Sequence, residues 1–204
     1  LIMKHYNNTL LDETYGTALA AQIKYGKQRR VPWGTSESGY YGFDLSFNYQ
    51  YKAFGVPDLG LKRGLKSDMV ISPYSSLLAL PFAPVEAMNN IYELIGGGLE
   101  GRYGLYEAAD YTLKRLPQGQ SKMIVESFMA HHQGMSIMVL NNMLHNEIME
   151  KRFHANPIVR AGETLLQEKV PLRVIMTKEY KDAIEPMEIE ERKGQNVEVK
   201  RVMG

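Results

Sequence analysis

The first clear periodicity lies between Leu10 and Lys27, where Leu11, Tyr15, Leu19 and Ile23 recur every four residues. That spacing predicts an amphipathic helix. Thr17, Ala18, Ala20 and Ala21 allow close packing beside the stripe. Asp12 and Glu13 fall in its first turn and Lys24, Lys27, Arg29 and Arg30 toward its end, the order that the helix dipole favours. Val31-Pro32 stops it. Residues 41–51 then change to period two. Tyr41, Phe43, Leu45, Phe47, Tyr49 and Tyr51 take one side; Gly42, Asp44, Ser46, Asn48 and Gln50 take the other. This predicts a strand or hairpin. A loop follows, broken by Gly55, Pro57, Gly60 and Gly64.

Residues 69–80 are apolar and predict a buried helix begun at Ser72-Pro73. Pro84 opens another, through Val85, Met88, Ile91, Tyr92 and Ile95, which Gly96-Gly97-Gly98 ends. Residues 99–120 read as loop. A long helix is predicted from about Lys122 to Leu144, with Phe128, Met135, Met138 and Leu140 on its apolar face. Glu147 to Phe153 continues it after a break, and Pro157 opens a last helix through Val159, Leu165, Leu166 and Val170, ending before Pro171. The charged C-terminal stretch reads as linker, with a strand at NVEVKRV. Helices pack in pairs, and long loops rich in Gly and Tyr join them. Such loops tend to carry function.

Composition narrows the classes. The chain has 204 residues, 44% apolar and 23% charged, with a net charge of +1. This is ordinary globular composition. It offers no electrostatic handle for nucleic acid, and no nucleic-acid partner is expected. There is no Cys, which excludes a disulfide framework and thiolate metal sites. The first residue is Leu rather than Met and no leader pattern follows; the expectation is a chain that begins inside a longer protein.

Two loops carry the chemistry. WGTSESGYYGFD runs from Trp33 to Asp44 and GRYGLYEAADYT from Gly101 to Thr112. Both mix carboxylates with aromatics and glycines, and the second adds Arg102. Rings stack on the apolar faces of sugars, while carboxylates and Arg bond hydroxyls. A pair of carboxyl groups across a glycosidic bond can cut or transfer it. Glu37 and Glu107 are the lead pair, and Glu100 is a third candidate. Trp33, Tyr40, Tyr41, Asp44, Arg102, Tyr103, Tyr106 and Asp110 are candidate sugar contacts. Burial among rings would raise the Glu37 carboxyl toward general-acid use; the competing reading is an exposed loop residue. For Glu107 and Asp110 the competing reading is satisfaction of backbone donors. His131, His132 and Gln133 lie on a helix, where neighbours point about 100° apart. A shared metal is therefore not expected, and no cofactor is. One His with Gln133 could bond a sugar, against the alternative of a satisfied core His.

Several long motifs occur in order: PWGTSESGYYGFD, YQYKAFGVPDLGLKRGL, DMVISPYSSLLAL, GRYGLYEAADYT, SFMAHHQGMS and RFHANPIVRAGETLLQEKVP. From about Tyr15 to Pro171 the chain resembles the glycoamylase-like domain of bacterial cyclic β-1,2-glucan synthases. The resemblance implies a mainly α, (α/α)6 toroid shared with endo-β-1,2-glucanases. Only part of that barrel is expected here, in residues 1–171, with residues 172–204 leading to a following domain. It also implies β-1,2-glucan as substrate and retaining transglycosylation that closes a ring. The other domains of a membrane-associated synthase are the expected partners, on the cytoplasmic face of the inner membrane. The alternatives are a periplasmic or secreted endo-β-1,2-glucanase and a non-catalytic glucan-binding segment.

Overall fold

The structure is a computed structural model that describes residue 3 and residues 6–166. The predicted end of the last helix, the linker and the NVEVKRV strand lie outside those residues. The described residues contain six α-helices: α1 (Leu10–Arg29), α2 (Pro73–Leu78), α3 (Pro84–Leu94), α4 (Ala130–Leu144), α5 (Ile148–His154) and α6 (Pro157–Gly162). Their starts follow local chemistry. Thr9 Oγ1 accepts the Asp12 N–H at the head of α1, and Asn156 Oδ1 accepts the Ile158 N–H at the head of α6. Proline opens α2, α3 and α6. Arg30 ends α1 in the left-handed region at φ 56°. After α3 the three glycines form a wide π turn over Ile95–Leu99, with Gly98 at φ 96°.

Among the described residues seven short strands lie between the helices: β1 (Ser38–Phe43), β2 (Tyr49–Lys52), β3 (Val70–Ile71), β4 (Glu100–Gly101), β5 (Gly104–Leu105), β6 (Ala108–Asp110) and β7 (Met123–Val125). The predicted hairpin is present. Ser38 pairs with Lys52 and Gly39 with Tyr51, and a bulge falls between Tyr40 and Phe43. Leu45 and Phe47 are exposed in its turn rather than ranked along a strand. Other expectations change. Residues 99–120 contain the β4–β5 hairpin and β6, so they are not plain loop. Val70–Ile71 is a strand, while the helix after it starts at Pro73 as expected. The long helix begins at Ala130, because Met123–Val125 is β7. One reason covers these differences. β6 pairs with β3 on one side and β7 on the other, Val70 with Asp110 and Ala108 with Val125. Those partners are distant in sequence, and local periodicity cannot report them.

Three apolar groups support this arrangement. Tyr25, Val56, Met69, Ile71, Leu94 and Leu99 join α1, the loops and the sheet. Trp33, Ala79, Leu80, Ala87 and Val139 join α2, α3 and α4. Val70, Ala108 and Val125 lie under the hairpin with Tyr40, Tyr49 and Phe54 against them. The helices and the small central sheet thus bring the start of β1, the start of β6 and the first turn of α4 to one place.

Candidate functional site

Glu37 immediately precedes β1, Glu107 precedes β6, and His131 and His132 occupy the first turn of α4. Glu107 is pinned by its backbone. Its N–H donates to the Ser127 carbonyl, and its carbonyl accepts from Ser72 Oγ at 2.8 Å. Its side chain is 1% exposed. Oε1 accepts the Gly39 N–H at 3.0 Å. His132 Nδ1 lies 2.9 and 3.0 Å from its two oxygens and donates to them when Glu107 is ionised. Gly39 lets the strand pass close by, because a Cβ at that position would sit 3.3 Å from Glu107 Cγ and 3.2 Å from Val125 Cγ1 and would press both side chains aside by a few tenths of an ångström.

The His132 ring is fixed from a second direction. Tyr74 stacks on it with centroids 3.8 Å apart and planes 14° from parallel. Tyr51 Oη lies 3.4 Å from His132 Nε2 and close enough to Glu37 for that carboxylate to act on the hydroxyl. Burial and the charges of Glu37, Tyr74 and Glu107 push the Tyr51 hydroxyl up to about 12, so it stays protonated. Tyr74 is also raised, first by burial, although its bond to Ser36 opposes the shift. His131 Nε2 lies 3.9 Å from Glu37 Oε1, with both side chains half-exposed. The order across the site is therefore Glu107, His132, Tyr51, Glu37, with His131 beside the last.

A cavity of about 260 Å³ adjoins this group, lined by Tyr74, Leu77, Tyr106, Glu107, His132 and Gln133 among others. That is near the lower end for small-molecule pockets. Gln133 Nε2 donates to the Leu105 carbonyl at the rim. Tyr106 packs on Phe128, with centroids 5.2 Å apart. Tyr103 is 72% exposed, and Arg102 lies against its ring.

Four of the sequence-predicted sugar contacts have other placements. Trp33 is 8% exposed in the core between α2 and α4, with its backbone held by Asn90; no face is left for stacking. Tyr40 packs into the sheet core beside Phe54, with Arg115 over its ring. Asp44 ties the β1–β2 turn through Ser46 and Asn48, and the Asn48 amides hold its carboxyl below the usual range. Asp110 is fully buried, and its oxygens accept from Tyr41 N–H, Thr112 N–H and Arg115. Tyr41 is half-buried and packs on Phe43. Glu37 also departs from expectation, since its carboxyl is half-exposed rather than sunk among rings. The adjacent histidines converge instead of diverging, with ring centroids 4.0 Å apart and His131 Nε2 within 3.9 Å of Glu37 Oε1. Tyr51, Tyr74 and Ser72 were missed. Their signal was a Tyr in each of two neighbouring motifs, YQYKAFG and SPYSS, but nothing local ties either to a histidine far along the chain.

Among the described residues no helix is long and apolar enough to cross a membrane. Over 171 residues the chain is 41% identical to the cyclic beta-(1,2)-glucan synthase NdvB of Rhizobium meliloti (strain 1021), covering 84% of this chain and 6% of that protein. The chain thus spans a small fraction of the curated relative it matches. Among solved structures it is similar to a "putative glucoamylase" from Bacteroides fragilis NCTC 9343, with TM-score 0.52 and 21% identity over 76% of this chain and 34% of that one. It is also similar to a beta-1,2-glucanase from Parabacteroides distasonis, with TM-score 0.50 and 21% identity over 81% of this chain and 22% of that one. At that identity the two structures speak to fold. Residues 2–157 match the model of the glycoamylase family, described as "Putative glucoamylase", and with the NdvB match this places the chain in the glycoamylase-like family.

Proposed function

We propose that this chain supplies reacting carboxylates to a glycoamylase-like domain that remodels β-1,2-glucan by retaining glycosyl transfer. The observation that carries the reading is the meeting of Glu37 and Glu107 at one histidine pair, although they come from separate loops. Their unlike settings fit unlike roles. Glu107 is rigid and shielded, and its Oε2 carries fewer bonds than Oε1; it is the nucleophile that attacks the anomeric carbon. Glu37 is half-exposed and can exchange protons between steps. It is the acid that protonates the leaving oxygen and then the base that activates the accepting hydroxyl. Tyr51 keeps its proton and steadies Glu37. Tyr106 and the cavity beside Glu107 would receive a glucose unit.

The reading includes the finer architecture. Residues 6–166 form a segment of an (α/α)6 toroid within a membrane-associated synthase on the cytoplasmic face. The identity to NdvB supports ring closure over hydrolysis. The same two carboxylates would hydrolyse the glucan if water replaced the sugar hydroxyl. Incubating the full-length protein with linear β-1,2-glucan and separating the products decides this. Cyclic glucan is expected; linear fragments would make it a hydrolase, and bound but unchanged glucan would make it a binding segment. Azide assigns the roles. Glu107→Ala with azide is expected to give a glycosyl azide of inverted configuration, and Glu37→Ala one of retained configuration. The opposite pattern would exchange the roles.

A further inference from the structure

We propose that Glu37, His131 and His132 form a divalent-cation site of the zinc type, and that filling it blocks the candidate glycosyl-transfer site. Each of the three offers a ligand atom, and these atoms all lie within 4.8 Å of one another. Two imidazoles and a carboxylate are a common donor set for zinc with an open position. A tetrahedral zinc site with bonds near 2.1 Å places its ligand atoms about 3.4 Å apart, so closure asks for a shift of about 1 Å. Glu37 and His131 can make it, because their side chains are 49% and 52% exposed.

The third ligand is already oriented. Glu107 holds His132 Nδ1 from behind, which turns Nε2 toward the Tyr51 hydroxyl 3.4 Å away, and the ion would displace that hydroxyl from Nε2. A buried carboxylate bonded to the far nitrogen of a ligating histidine is the usual support of metal sites. Tyr74 stacked on the ring removes its remaining freedom. The half-exposed pair gives the ion a way in. The blocking effect, which rests on the proposed glucan chemistry, follows from Glu37: a carboxylate bound to a cation cannot carry a proton to a leaving oxygen.

The test uses the full-length protein stripped with a chelator and titrated with zinc chloride, followed by calorimetry and zinc K-edge absorption. Binding with imidazole and carboxylate-oxygen scattering is expected, with no comparable binding of magnesium, which prefers all-oxygen octahedral sites. His131→Ala and Glu37→Gln, both at half-exposed side chains, are expected to lose this site. Glu107→Gln is expected to weaken it by about tenfold to a hundredfold. The stripped protein is expected to process glucan and zinc to suppress it. Absence of zinc binding overturns the site, as does equal binding in wild type, His131→Ala and Glu37→Gln. Zinc bound at these residues with glucan turnover unchanged overturns the block. A stripped protein that binds zinc but never acts on glucan leaves the site standing and removes the proposed function.

Discussion

Aromatic residues in the two motifs divide into core and cavity wall, and substitution should separate them. Trp33→Ala removes a core side chain shared by α2, α3 and α4, and the expected cost is about 3–5 kcal/mol of stability. Tyr106→Ala, at the cavity, is expected to leave the fold in place and to weaken glucan binding by roughly 0.5–1.5 kcal/mol. Thermal melts and glucan titrations read the two effects. A Trp33 variant that melts normally but loses glucan, or a Tyr106 variant that only melts early, would reverse the division. The motif composition of the candidate site was legible because Glu, Tyr and Gly in irregular spacing resist assignment to a core. The roles were not. Trp33 and Asp110 carry the same sequence signature as Tyr106 and Glu107, and only the tertiary surroundings distinguish a ring or carboxylate that lines a cavity from one that is enclosed by its neighbours.

At the scale of elements, the strand β6 holds the site. Glu107 precedes it and Asp110 ends it, where Arg115 joins Asp110 to Asp68. Asp110 is fully buried and the Arg115 side chain 17% exposed. Arg115→Ala leaves a buried carboxylate unpaired and is expected to cost about 3–5 kcal/mol. Hydrogen exchange should then accelerate in peptides spanning β6, and unchanged protection would show that the ion pair does not support the strand. The network also gives a pH dependence. Burial alone would raise the Asp68 carboxyl, but hydrogen bonds and charge from Lys52 and Arg115 hold it well below the ordinary range. A depressed carboxyl stabilises the fold above its unfolded value, near 3.9, and that contribution is lost as pH falls toward the folded value. Protection of β6 should therefore fall below about pH 4 in the wild type and change less in Asp68→Asn; parallel profiles would contradict this. The helices were legible from their period and their prolines. The three-stranded sheet was not, since strands of two or three residues have too few positions to show alternation.

The whole molecule carries broad apolar exposure on its helices. Val85 is 67% exposed, Tyr92 64%, Ile137 66%, Leu144 77% and Ile158 82%. Apolar surface of this kind marks interaction sites or association. Residues 1–204 alone are expected to bind a hydrophobic dye strongly and to self-associate, which scattering and fluorescence would detect. A monodisperse, dye-silent monomer would show that these side chains find cover within the chain. The central claim concerns the two carboxylates, and it is tested most directly by turnover of linear β-1,2-glucan in the full-length protein. Glu37→Gln and Glu107→Gln are measured beside Glu100→Gln and Glu126→Gln, whose side chains lie on the exposed surface. Gln keeps the shape but can neither take up a proton nor attack, and general acid–base help alone is worth roughly a hundredfold to ten-thousandfold. The expected result is a loss of at least that size in each of the first two variants, which remain folded, and near-normal turnover in the controls. Near-normal turnover in Glu37→Gln or Glu107→Gln would remove that residue from the reaction, and in both would contradict the account.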